Sequence, residues 1–91
     1  MTDCLSPHLP LPQSGCERLT WLPPVDATRV RVVAWTCDCR AVFFELCEAG
    51  GMAFVRRTVQ RNKRPEITET HRMRVRHAWD LWTSLLSGMA R

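Results

Sequence analysis

Residues 40–59, RAVFFELCEAGGMAFVRRTV, decide the fold of this chain. Two apolar runs rich in β-branched and aromatic residues flank the pair Gly50-Gly51. Paired glycines admit the positive φ of a tight hairpin turn, and runs of this composition favour strands. Residues 40–47 and 52–59 are therefore predicted to form two antiparallel strands.

The segments on either side of this hairpin predict a further strand before it and a helix after it. Residues 28–36, TRVRVVAWT, alternate in polarity and predict another strand. Residues 60–66 predict a polar, basic loop, and Ile67 with its threonine neighbours allows a short fourth strand. From about residue 70 to 87 the apolar spacing becomes three and four, which predicts one helix. The expected fold class is α+β: a small antiparallel meander of three or four strands packed by one C-terminal helix.

Residues 1–27 differ in composition from the remainder, because five of the six prolines lie there. Proline removes backbone donors and favours extended geometry at the preceding residue. An irregular arm is therefore predicted over residues 1–27, partly docked by its leucines and Trp21 and disordered at its tip. Residues 28–91 are predicted to form the sheet-and-helix domain.

Composition restricts the class of protein. The chain has 91 residues, too few for two ordinary domains, with 13 basic and 9 acidic residues. Twelve of the cations are arginine, whose planar fork suits phosphate and carboxylate partners, although a GC-rich genome favours arginine codons as well. We find no signal peptide and no apolar run long enough to cross a membrane. These observations predict a cytoplasmic protein with reduced thiols.

Several short runs in this chain resemble those of short uncharacterised proteins from high-GC actinobacteria. The runs are Phe44-Glu45-Leu46-Cys47, Gly50-Gly51, Phe54-Val55-Arg56-Arg57 and the ending Leu81-Trp82, Leu85-Leu86, Gly88 and Ala90-Arg91. The resemblance covers about residues 28–91 and implies a bacterial, cytoplasmic origin. It implies no activity for any residue.

Basic residues near the end of the third strand and the start of the helix are the main functional signal. The candidate partner-binding residues are Arg56, Arg57, Arg61, Lys63, Arg64, Arg72, Arg74 and Arg76. A helix N-terminus already carries a partial positive charge, so exposed cations there cost about 0.3–1 kcal/mol each. An acidic macromolecule, either nucleic acid or an acidic protein surface, would offset that cost. Alternatively, the helix begins later, or Glu66 and Glu69 neutralise these arginines.

The cysteines suggest a second type of site. Cys37, Cys39 and Cys47 are candidate zinc ligands, and Cys4, Cys16 or His71 would complete the four that zinc needs. The spacing lacks the usual pair of Cys-x-x-Cys knuckles, and buried cysteines often serve only as small apolar residues. The simpler expectation is therefore that the protein has no cofactor.

No motif in the sequence indicates catalysis. The chain lacks a nucleophile elbow, a phosphate loop and a His-Glu-x-x-His motif, and it is small for an enclosed substrate pocket. The sequence favours a non-enzymatic binding or regulatory module. A structural homodimer is the alternative, because a small open sheet leaves an uncovered face on which Val33, Trp35 and Phe43 are expected.

Overall fold

A four-stranded antiparallel sheet and one α-helix form the protein, in a computed structural model that describes residues 6–25, 29–61 and 64–91. The elements are β1 Arg31–Trp35, β2 Val42–Ala49, β3 Met52–Arg61, β4 Arg64–Glu69 and α1 Val75–Leu86. The strands follow one another in the order β1-β2-β3-β4. The predicted α+β class is confirmed, and the meander includes the fourth strand.

The central hairpin forms where the paired glycines predicted it. Gly50 and Gly51 have φ angles of 59° and 79°, which residues other than glycine rarely adopt. The pairing of Ala49 with Met52 closes the turn, and the register then runs without interruption to Val42 opposite Val59.

The predicted loop over residues 60–66 is mostly strand. β3 continues to Arg61, and β4 begins at Arg64, which pairs with Arg61. The polar composition of residues 60–66 indicated that they are exposed to solvent. Residues of an edge strand can be exposed and still pair with the neighbouring strand, so the composition did not distinguish a loop from a strand. Pro65 fits there because β4 has β3 on one side only, so a missing donor can face outwards.

The helix begins later than the apolar spacing predicted. Residues before Val75 stay extended beside β3: the Thr70 amide donates to the Val55 carbonyl at 2.9 Å, and Met73 exchanges two backbone hydrogen bonds with Ala53. Arg72 and Arg74 therefore precede α1, and only Arg76 of the predicted cluster lies on it. At twelve residues α1 is too short to cross a membrane, and the described chain has no longer helix.

Each face of the sheet carries an apolar cluster. The helix face, against which α1 packs, contributes Phe44, Leu46, Ala53 and Val55, and α1 contributes Ala78, Trp82 and Leu85. The opposite, outer face buries Cys47, Ala49 and Phe54, with Val32 packed beside them. The apolar stripe predicted for the helix included Trp79 and Met89, but Trp79 is 43% exposed and Met89, which follows α1, is 50% exposed.

A bulge in β1 changes which side chains reach each face. The register shifts between Val32 and Ala34, so Val32 lies opposite Cys47 while Ala34 lies opposite Leu46. Val33 and Ala34 both pack against the helix-face cluster. Val33 is therefore not part of an uncovered surface, as the uninterrupted alternation had predicted.

Residues 6–25 lie against the helix face and the chain that follows α1. Leu9, Leu19 and Trp21 pack against the helix-face cluster. The amides of Gln13, Glu17 and Leu19 donate to the carbonyls of Gly88, Met89 and Arg91 at 2.9, 2.8 and 3.2 Å. The predicted disordered tip and the boundary at residue 27 fall in 1–5 and 26–28, outside the described residues.

Gly88 marks the closest approach of this N-terminal segment to the end of α1. Its φ is +79°, and a Cβ there would lie 2.9 Å from the Leu11 carbonyl oxygen. Gly15 has a similar φ of +77° with no atom within 4 Å of its Cβ position.

We expect Gly88→Ala to lower the free energy of unfolding by clearly more than the roughly 1–2 kcal/mol that positive φ alone costs in Gly15→Ala. Urea unfolding of both variants measures the difference, and equal losses would show that the Leu11 contact is not tight.

Candidate anion-binding cleft and metal-ligand cluster

The seven described residues of the predicted partner-binding set do not lie together in the structure. Neighbouring strand residues point to opposite faces, which separates Arg56 from Arg57. Arg56 lies on the outer face, where its Nε donates to Glu45 Oε1 at 3.0 Å. Arg57 lies on the helix face opposite Phe44. Arg56 is thus ion-paired on one face of the sheet, and Arg57 lies on the other face, so the two do not form one binding surface.

The exposed cations of the set fall into two groups at opposite ends of β3. Arg61 and Arg64 close the β3–β4 end, whereas Arg74 and Arg76 lie near Ala53, at the other end. The strand rises by eight residue steps from Ala53 to Arg61, which is about 26 Å at the usual rise per residue. These two groups therefore do not form one compact surface. The remaining member, Lys63, lies outside the described residues.

Arg72 packs over Phe54 on the outer face of the sheet. Its guanidinium carbon lies 4.6 Å from the centroid of the Phe54 ring. Its Nε and Nη2 atoms are buried and have no hydrogen-bond partner among the described residues. The side chain shields Phe54 through a cation–π contact and offers little to a partner in solution.

A cleft with a volume of about 460 Å³ opens on the helix face, between the N-terminal segment and the start of β2. Apolar side chains, among them Leu9, Trp21 and Phe44, form much of its wall. The charged residues that line it are the arginines Arg18, Arg40, Arg57 and Arg91, and His8 lies beside them. None of the described residues that line it is acidic. Such a composition suits an anion.

Arg57 lies against the aromatic wall of the cleft. Its guanidinium carbon is 4.6 Å from the Trp21 ring centroid, and Trp21 in turn lies 5.8 Å from the Phe44 ring. Its Nε donates to Thr68 Oγ1 at 3.2 Å. Burial lowers the pKa of Arg57 from its usual value, opposed by the charge of Glu66. An arginine still carries its charge after such a shift, so Arg57 is a partly desolvated cation.

Arg91 has mainly a structural role in the cleft wall. Its Nη1 donates to the carbonyls of Leu85 and Ala90 at 2.9 and 2.8 Å, and its Nη2 donates to the Pro10 carbonyl. Burial lowers the pKa of Arg91 as well. Arg18 and Arg40 are exposed, and their side chains are the accessible cations of the cleft.

Three of the ligand types that zinc prefers lie together beside the cleft. The ligand atoms of His8, Cys37 and Cys39 are all within 4.8 Å of one another, and Cys39 Sγ lies 3.1 Å from His8 Nε2. The Cys37 amide donates to the Pro7 carbonyl at 2.9 Å, which holds the residue before His8 against the β1–β2 connection. His8 was missing from the predicted ligand set, because nothing local in the sequence links it to residues 37–39.

Cys47, the third predicted zinc ligand, lies apart from this cluster. It pairs with Val32 and Phe54 in the middle of the sheet, and its side chain is fully buried on the outer face. Burial raises the pKa of its thiol to about 11. Cys47 is thus a protonated core residue, as the simpler interpretation expected. Neither Cys16 nor His71 joins a metal-ligand group among the described residues.

The comparisons with known proteins give no relative from which to identify this arrangement. No protein-family model, curated protein or solved structure shows a significant match to the chain. The cleft and the His8, Cys37 and Cys39 cluster therefore have to be interpreted from their own chemistry.

Proposed function

We propose that the protein is a non-enzymatic binding module whose basic cleft engages the phosphate backbone of single-stranded nucleic acid. The observation that carries this proposal is the lining of the cleft, in which four arginines and a histidine occur without an acidic residue among the described lining residues. One arginine guanidinium can donate two parallel hydrogen bonds to two oxygens of a phosphate, and these bonds are strongest where water is partly excluded.

The energetics of Arg57 support an anionic occupant. The side chain has lost part of its hydration to the Trp21 ring and the cleft wall, and Glu66 is the acid that partly offsets its charge. A bound phosphate would compensate the remaining cost, because a partly buried cation is stabilised by a nearby opposite charge. Arg18 and Arg40, which are exposed, would meet adjacent phosphates at lower desolvation cost.

The cationic surface continues beyond the cleft, which favours a polyanion over a single small anion. Gln60 ties the end of β3 to the β1–β2 connection: its amide donates to the Ala41 carbonyl at 2.7 Å, and its side chain donates to the Arg40 carbonyl at 3.1 Å. The exposed Arg61 and Arg64 therefore lie at the same end of the sheet as the cleft. A cationic groove with an aromatic wall is typical of proteins that bind single strands without sequence preference.

Fluorescence anisotropy with a labelled single-stranded oligonucleotide tests this proposal. For three or four phosphate contacts, the logarithmic salt slope should be about −2 to −3, so that affinity falls roughly 15- to 65-fold between about 50 and 200 mM salt. A polyglutamate of equal charge serves as the competitor. A shallow slope, or polyglutamate that competes as well as unlabelled oligonucleotide, would favour an acidic protein partner and overturn the nucleic-acid assignment.

A further inference from the structure

The separations within the cluster of His8, Cys37 and Cys39 match a tetrahedral metal site. With a Zn–S bond of about 2.3 Å and a Zn–N bond of about 2.1 Å, neighbouring ligand atoms lie about 3.6–3.8 Å apart. The three ligand atoms here lie within 4.8 Å of one another, and one pair is 3.1 Å apart. Small rotations of the side chains are sufficient to place all three around one ion.

The chemistry of these ligands selects zinc among the common biological cations. Two thiols and an imidazole are soft or borderline ligands, whereas magnesium and calcium require oxygen. His8 and Cys39 are exposed, so an ion can enter from solvent, and Cys37 is largely buried behind them. Arg40 Nη2 lies 3.4 Å from His8 Nδ1. Zinc on Nε2 would leave the ring proton on Nδ1, so Nδ1 could no longer accept a hydrogen bond from Arg40.

We propose that His8, Cys37 and Cys39 hold a zinc ion through the three ligand atoms that lie close together. Two thiolates and an imidazole supply three of the four ligands of a tetrahedral site, which leaves the fourth position to water or another donor. Of the completions that the sequence allowed, Cys16 and His71 are not grouped with the cluster, and Cys4 lies outside the described residues.

Such an ion has a mechanical role in this fold. It ties the N-terminal segment, through His8, to the β1–β2 connection, through Cys37 and Cys39. His8 and Cys37 also line the cleft, so the ion fixes one wall of it. The proposal concerns the metal alone and does not depend on what the cleft binds.

Metal analysis of the full chain, purified without added zinc, is the primary test. We expect about one equivalent of zinc in the wild type, and loss of most of it in Cys37→Ser and in Cys39→Ser. Cys16→Ser is the matched control, because Cys16 is a partly exposed thiol outside the cluster, and it should retain the metal. Less than about a tenth of an equivalent in the wild type would overturn the proposal. Equal zinc in all three variants would do the same.

Cobalt substitution of the same protein counts the ligands and remains informative if a variant folds poorly. The wild type should show the near-ultraviolet charge-transfer band of thiolate-bound cobalt, and absence of this band would contradict the site. Cys39→Ser should lower the band by about half, because one of two thiolates is lost. An unchanged band would remove Cys39 from the site. His8→Ala should shift the visible bands that report tetrahedral geometry, and an unshifted spectrum would remove His8 from the site.

Discussion

Replacing Phe54 with alanine is expected to lower the free energy of unfolding by about 3–5 kcal/mol. Phe54 is 1% exposed at the centre of the outer-face cluster, with Cys47 and Ala49 as its buried neighbours. Truncation removes the ring that Arg72 covers and leaves a cavity beneath the guanidinium. A domain of this size is stable by only about 5–15 kcal/mol, so a large fraction of the stability depends on this one ring.

Phe43→Ala is the matched control for this variant, because Phe43 is an aromatic residue in the neighbouring strand that is only half-buried. Its loss should cost clearly less, since less apolar area leaves water when it folds. Urea unfolding followed by tryptophan fluorescence measures both variants. Equal destabilisation would mean that the outer face has no tightly packed centre at Phe54.

The double variant Arg18→Gln/Arg40→Gln is expected to weaken oligonucleotide binding about tenfold near physiological salt and to make the salt slope shallower by about 1.4. Both side chains are exposed at the cleft, so their loss removes two phosphate contacts without disturbing the core. The slope changes because fewer counterions are released on binding when two phosphate contacts are missing. Anisotropy titrations at several salt concentrations give both quantities.

Arg74→Gln/Arg76→Gln removes the same charge at the opposite end of β3 and serves as the control. Both side chains are exposed at the start of α1. We expect less than about a twofold change in affinity, because these two side chains do not line the cleft and salt screens exposed charges at a distance. Equal weakening by the two double variants would show that binding follows net charge rather than the cleft.

Local pattern was sufficient to predict the main elements of the fold. The β2–β3 hairpin could be predicted because Gly50 and Gly51 separate two apolar runs, and α1 because apolar residues recur at helical spacing. The bounds were harder. Backbone hydrogen bonds between strands leave no mark on amino-acid composition. The strand at residues 64–66 and the extended conformation of residues 70–74 were therefore not predicted.

The candidate sites were less accessible to prediction, because tertiary contacts create them. Cys37 and Cys39 could be identified as a pair because they are close in sequence. His8 joins them only through the docking of the N-terminal segment. The cleft likewise combines residues from His8 to Arg91, and no periodicity in the sequence relates such distant positions.

The hydrogen bonds from Gln13, Glu17 and Leu19 to the backbone of residues 88–91 have a consequence for how the molecule is made. A ribosome delivers the N-terminal segment first, but the groups that hold it in place emerge about 70 residues later, so during synthesis the sheet can pair before that segment finds its position. The nascent chain therefore completes its basic cleft late, only after residues 88–91 have left the ribosome.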